Sequence, residues 1–291
     1  METGRFGRAM GAVAAAVLLA VVTACASETA AAEQDSRPTQ WKLVWSDEFT
    51  GRAGERPDPG KWVYDRGGEP QWGNAEWQYY TDRPENVSLD GQGHLAITAR
   101  RERLPGMTPC PHGPCDITSG RITTRDKLSR AYGRYEASMK IPDGKGLWPA
   151  FWMMGADIDQ HPWPANGEID VMETVGDDPG LVHGSAHGPG FVDPGFTDSY
   201  QLPDGQRLAD AFHTYAVEWS PHRIDWLLDD TRYFSLSKDQ LTADQKWVFD
   251  HRFYLLLNLA VGGGWPGPPD QSTRFPAELL VDYVRVYARV S

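Results

Sequence analysis

The chain has 291 residues, with 28 Lys and Arg against 40 Asp and Glu, a formal net charge of -12 and 40% hydrophobic residues. That acidity argues against nucleic-acid binding, which needs a basic surface to neutralise phosphates. No apolar run beyond the N-terminus approaches the ~20 residues of a membrane-spanning helix, and the composition is neither that of a disordered chain nor of a coiled coil.

Arg5 and Arg8 precede an apolar run over 10–22, the layout of a signal peptide covering residues 1–24. The run ends in Val22-Thr23-Ala24-Cys25, the pattern of a bacterial lipobox in which a lipidated Cys25 becomes the new N-terminus. Ordinary cleavage just beyond would instead release a soluble protein. Either way the expected location is extracellular, as a cell-surface lipoprotein or a secreted protein, with Cys25 the one route to a membrane. Residues 25–40 are small and polar and form a flexible tether, spanning about 20 Å as a coil. Residues 41–291 remain for one folded domain.

From Trp41 onward the dominant period is two. Strands are predicted over 41–46, 86–90, 94–99, 118–125, 133–141, 148–154, 167–174, 181–187, 212–219, 252–261 and 279–288. In 133–141, Tyr135, Ala137, Met139 and Ile141 share one face, while Arg134, Glu136, Ser138 and Lys140 share the other. Residues 223–228 and 231–234 form a hairpin turning at Asp229-Asp230. Only 206–211 and 237–245 have a brief helical pattern. Many short strands without βαβ alternation define an all-β, two-sheet sandwich of jelly-roll type. Besides Cys25 the chain has Cys110 and Cys115, and a local disulfide is the economical pairing in an oxidising compartment. It would pin a short loop and add little to global stability, since the entropic gain grows with loop length. No second Cys pair exists to complete a structural zinc site.

The most informative segment is Gly167-Glu168-Ile169-Asp170-Val171-Met172-Glu173. As a strand it places Glu168 and Asp170 on one face and Ile169 and Val171 in the core, but unbroken alternation would bury Glu173. An unpaired buried carboxylate is costly, so a β-bulge at Val171-Met172 is expected, returning Glu173 to the acidic face. Glu168 and Glu173 would then have Cα atoms about 13 Å apart, and their side chains could converge to the spacing of a retaining glycosidase. In a helix they would lie about 140° apart and could not converge. Asp170 between them would disfavour ionisation of a neighbour, keeping one glutamate a protonated acid. A solvated acidic strand face is the plain alternative. A metal site with His183 and His187 is another, but on a strand those two stand about 13 Å apart, which disfavours zinc.

The segment resembles the bulged Glu-x-Asp-x-x-Glu signature of glycoside hydrolase family 16, laminarinase-like (endo-β-1,3-glucanase) branch. The similarity extends in order through Trp45-Ser46-Asp47-Glu48-Phe49, Glu85-Asn86-Val87, Gly146-Leu147-Trp148-Pro149-Ala150-Phe151-Trp152, Phe212-His213-Thr214-Tyr215, Asn258-Leu259-Ala260-Val261-Gly262-Gly263 and Val281-Asp282-Tyr283-Val284-Arg285-Val286-Tyr287. The resemblance implies a jelly roll with a substrate cleft on its concave sheet. Glu168 would be nucleophile, Glu173 general acid/base and Asp170 their hydrogen-bonding partner. The extra Met172 separates the chain from the unbulged lichenases and xyloglucan-active enzymes.

Trp148, Trp152 and Trp265 are expected as subsite walls stacking on sugar faces, though Trp152 has apolar neighbours that suit core packing equally. Asn86, Arg125 and His187 are candidates to hydrogen-bond sugar hydroxyls, with His187 placed near the acid/base. The chemistry requires no cofactor, but relatives carry a structural calcium. Its ligands here would be the backbone oxygens of Glu48 and Gly93 and the Asp282 carboxylate. The expectation is an exported, monomeric endo-β-1,3-glucanase whose partner is a β-glucan polysaccharide. A mixed-linkage glucan or a galactan as substrate, or a non-catalytic glucan-binding lectin, are the alternatives.

Overall fold

The computed structural model describes residues 40–290, together with Met1. The expected signal peptide, Cys25 and the tether up to residue 39 lie outside the described residues. In chain order the strands are β1 (Trp41–Asp47), β2 (Val63–Tyr64), β3 (Tyr79–Tyr80), β4 (Val87–Leu89), β5 (Leu95–Arg101), β6 (Pro109–Cys110) and β7 (Gly113–Pro114). There follow β8 (Ile117–Ser119), β9 (Arg121–Thr123), β10 (Gly133–Lys140), β11 (Leu147–Gly155), β12 (Glu168–Glu173), β13 (Leu181–Gly188) and β14 (Phe191–Gln201). The last are β15 (His213–Ser220), β16 (Arg223–Leu228), β17 (Thr231–Ser237), β18 (Phe253–Val261) and β19 (Ala277–Arg289).

All but β6 and β7, which pair with each other as a separate hairpin, form the two sheets of a jelly-roll sandwich. One runs β17-β16-β15-β10-β19-β5-β8-β3, with β1 also on β19 and β4 on β5; the other runs β14-β13-β12-β11-β18-β9-β2. Between them lies one core. Tyr135, Tyr215 and Trp226 enter it from the first sheet, and Phe151, Met153, Ile169 and Leu257 from the second. Alternation in β10 works as predicted, with Tyr135, Ala137 and Met139 all buried. Asp229 and Asp230 make the β16–β17 turn with φ of 47° and 63°, the left-handed pair of a type I′ hairpin.

Three expectations need correction. The predicted strand 118–125 is two strands on different sheets, because the chain crosses the sandwich at Gly120. A Cβ there would meet Val87 Cγ2 at 2.2 Å. The helical reading of 206–211 and 237–245 yields no α-helix, only a 3-10 turn at Lys238–Gln240. Segments that short cannot meet the cost of helix nucleation without a packed face. The eleven-residue β14 went unread, since Pro194, Gly195 and its polar residues hide a period of two. It is an edge strand, where a proline takes no hydrogen bond from the ladder.

Candidate active site

The bulge in β12 builds the site. Against β11, Phe151 pairs with Met172 and Trp152 with Asp170, which leaves Val171 unpaired. Against β13, Asp170 opposes Ser185 and Glu173 opposes His183, so three steps on one strand match two on the other. Val171 and Met172 both go into the core, and Glu168, Asp170 and Glu173 share the outer face. The bulge's backbone is also pinned from below. Trp226, fully buried on the opposite sheet, donates its indole N–H to the Asp170 carbonyl at 2.7 Å. Gly184 makes room for that ring, since a Cβ there would meet Trp226 Cδ1 at 2.4 Å.

The three carboxyls are crowded, and each is harder to ionise than an ordinary acid. Glu168 is raised by burial and then by the Asp170 charge; Asp170 is raised by burial and by the Glu173 charge. Glu173 is pushed up to about 7, by burial first and the Glu168 charge second, while the indole of Trp148 pulls the other way. Trp148 Nε1 donates to Glu173 Oε1 at 2.9 Å. The compensating charge is His187. Its Nδ1 lies 2.9 Å from the Val192 carbonyl, an acceptor only, so Nδ1 carries a proton. Its Nε2 lies 3.1 Å from Asp170 Oδ2. Burial opposes charging the ring, but the bond to Asp170 and the charges of Asp170 and Glu168 outweigh it and raise its pKa to about 10. At neutral pH the ring is therefore an imidazolium. Asp170 is the ion-paired centre, flanked by two glutamates that both hold a proton more readily than an ordinary carboxylic acid.

Around this cluster the tryptophans form walls. Trp148 meets Trp265 edge-on at 5.5 Å, and Trp265 meets His183 edge-on at 5.0 Å. Trp265 is among the most exposed large apolar side chains, as a sugar platform needs to be. Trp152 lies beside Asp170 in register, with its indole N–H held by Asn258 Oδ1 at 2.7 Å. Arg125 is engaged by Asp159 at 2.6 Å. Asn86 is not in the site. It is wholly buried, with Oδ1 accepting from Thr81 and Nδ2 donating to the Thr98 carbonyl and Thr118, so it holds strands together and has nothing to offer a sugar. His187 stands opposite Glu168 rather than beside Glu173, and both its nitrogens are engaged by protein. It belongs to the carboxylate cluster, and His183 is the histidine opposite Glu173.

Sequence reasoning missed Trp163, which lies close enough to Glu168 to lower its pKa slightly and is 45% exposed. A lone Trp in a Pro-rich stretch five residues before Glu168 was the available signal. It also missed Arg121, whose guanidinium lies 4.4 Å from the Trp72 ring centre and 4.8 Å from that of Trp152.

The expected calcium ligands are far from this face, on the other sheet. Asp282 is the extra residue of a bulge in β19, where Ser138 pairs with Tyr283 and Met139 with Val281. It falls in the gap between the last β1 pair, Asp47 with Val284, and the first β5 pair, Leu95 with Val281. Glu48 and Gly93 flank the two strand ends that border the gap. The Glu48 carboxylate is taken by Arg285 at 2.7 and 3.0 Å, which leaves its backbone oxygen as the donor. Asp282 Oδ2 accepts from Ser138 Oγ at 3.2 Å, and the set of carbonyl and carboxylate oxygens is of the hard kind that Ca²⁺ takes.

Two glutamates with raised pKa values on either side of an aspartate paired to His187, with tryptophans beside them on the same strand pair, are the apparatus of a glycoside hydrolase. The family model described as glycosyl hydrolases family 16 matches residues 74–285, and the chain belongs to that family. It is 42% identical over 283 residues to a β-glucanase of Rhodothermus marinus, covering 94% of this chain and 93% of the relative. Among solved structures, the endo-β-1,3-glucanase of Pyrococcus furiosus superposes with a TM-score of 0.81 at 44% identity, over 87% of this chain and 96% of that one. The laminarinase catalytic domain of Thermotoga maritima gives 0.80 at 43% identity, over 86% and 99%.

Proposed function

We propose that the protein is an exported endo-β-1,3-glucanase that acts with retention of configuration. The observation that carries this reading is the Trp148–Glu173 hydrogen bond on the same face as the His187–Asp170–Glu168 cluster, which gives the two glutamates different environments. Glu168 attacks the anomeric carbon as the glycosidic C–O bond breaks, and the departing oxygen takes its proton from Glu173. Glu173 then removes a proton from water, whose oxygen attacks the same carbon and releases Glu168. Glu168 attacks as the carboxylate, and Asp170, held by the His187 imidazolium, stays ionised beside it and fixes its position. Trp148, Trp152 and Trp265 supply sugar-stacking walls, and Arg125 a donor to sugar hydroxyls. β-1,3-Glucan is favoured as substrate by the activities named for the relatives.

Calcium held by the Glu48 and Gly93 carbonyls and the Asp282 carboxylate would supply positive charge where β1, β5 and β19 meet, a structural role remote from the chemistry. The N-terminal pattern supports export and lipid attachment at Cys25. Product analysis on laminarin, lichenan and agarose, with Glu168→Ala as control, tests the reading. Laminarin is expected to yield short oligosaccharides and the control none. Well-folded protein inactive on all three would overturn it in favour of glucan binding without hydrolysis.

A further inference from the structure

The loop before β3 carries a buried acid that the reaction does not use. Glu76 is 3% exposed and, among the described residues, pairs with no cation. It accepts instead from three neutral donors: Asn74 Nδ2 at 3.0 Å on one oxygen, and Gln78 Nε2 at 2.5 Å and the Tyr80 hydroxyl at 3.1 Å on the other. Gln78 is fixed in turn by the Val261 N–H, which donates to its Oε1 at 2.7 Å. The Tyr80 oxygen receives Asn258 Nδ2 at 3.3 Å, and Asn258 Oδ1 receives the Trp152 indole N–H at 2.7 Å.

The polarity of this chain is dictated by its ends. An indole nitrogen can only donate and a carboxylate can only accept. Asn258 must therefore turn its oxygen to Trp152 and its amide N–H to Tyr80, and Tyr80 must send its proton to Glu76. Reversing any one member would set donor against donor or oxygen against oxygen in a buried setting, where each unpaired group costs its full desolvation. On its face, Trp152 meets the Arg121 guanidinium at 4.8 Å, so ring and edge are both constrained beside Asp170.

We infer that Glu76, acting through Tyr80 and Asn258, is a positioning residue that fixes the Trp152 indole as a sugar platform beside the catalytic carboxylates. The inference rests on the reading of Trp152 as a platform in a glucanase. Binding geometry, rather than proton transfer, is what this relay supplies.

The test uses the mature protein and the variants Tyr80→Phe, Glu76→Gln and Trp152→Phe, the last removing the indole N–H. Glu76→Gln keeps size but introduces a donor where three donors already converge. If it fails to fold, Tyr80→Phe alone decides, since it removes one hydroxyl and keeps the ring. Tyr80→Phe should lower kcat/KM on laminarin about tenfold, mainly through KM, and should lose less than about twofold more in the Trp152→Phe background. Losses that multiply independently in the double variant would overturn the relay, because generic destabilisation does not know which ring it disturbs. A second readout is independent of catalysis. The Trp152 indole ¹⁵N–¹H resonance, assigned by its loss in Trp152→Phe, should exchange with solvent at least about tenfold faster in Tyr80→Phe. Unchanged exchange there would also overturn the relay. A wild type that cleaves no glucan would sink the functional reading, while the exchange data would still decide the relay.

Discussion

Glu173 is held by one indole N–H and repelled by the charge of Glu168, and its pKa of about 7 against an ordinary 4.5 makes two predictions with definite signs. The acid must be protonated to act, so wild-type turnover should fall as pH rises through about 7. Glu173→Gln should lose about 10²–10⁴ in kcat on a substrate that needs leaving-group protonation, and its residual activity should lack that alkaline decline. The same shift bears on stability. A folded-state pKa above the unfolded one means that stability is full below about 4.5 and is lost as pH climbs through about 7. Glu173→Gln, which cannot ionise, should therefore melt a few degrees above wild type at pH 8, corresponding to about 1–3 kcal/mol, and level with it at pH 4. Thermal melts at the two pH values check this. At this scale the shared face of Glu168 and Asp170 followed from the alternation of Glu168, Ile169, Asp170 and Val171, whereas the division of roles between Glu168 and Glu173 is what the family resemblance implies. The place of His187 followed from neither, because its partner Val192 lies in a strand whose pattern was masked by Pro194 and Gly195.

The element that matters most is β12, and its bulge was legible because burying Glu173 would have been so unfavourable. What the chain alone could not reveal is the support from the opposite sheet. The Asp170 carbonyl, next to the bulge, accepts from Trp226, 56 residues away in sequence. No local pattern marks such a contact. Trp226→Phe would keep an aromatic ring there and remove the buried indole hydrogen bond to that carbonyl, at a cost of about 1–3 kcal/mol. Because the bulge sets the direction of Glu173, the variant should also lose kcat. Denaturant melts and kinetics on the folded variant check both effects, and an unchanged kcat would show that the bulge holds its shape without Trp226. Strand lengths and faces in β10, β11, β13, β15, β18 and β19 were readable from period two. Asn86 was misassigned for a related reason, since a polar residue beside a strand does not announce whether it faces a sugar or, as here, Thr81, Thr98 and Thr118.

On the scale of the whole molecule, the sandwich keeps chemistry and scaffold apart. One sheet presents the carboxylates and indoles outward, and the other backs them through a shared core of buried aromatics. The gap beside Asp282 joins β1, β5 and β19, and filling it with Ca²⁺ would stabilise the scaffold without touching the reaction. Chelation with EDTA should lower Tm by several degrees while leaving the pH profile of kcat where it was, and calcium readdition should restore the melt. No change in Tm would argue against the ion. The 12 Trp residues leave open whether the indoles line a cleft or fill the core; Trp226 is buried and Trp265 is exposed. The most direct test of the paired roles of Glu168 and Glu173 is proton NMR of the first sugar anomer released from laminarin, recorded before mutarotation. Two displacements at one carbon predict that the β-anomer appears first. Initial release of the α-anomer would mean a single displacement by water and would contradict a nucleophilic Glu168.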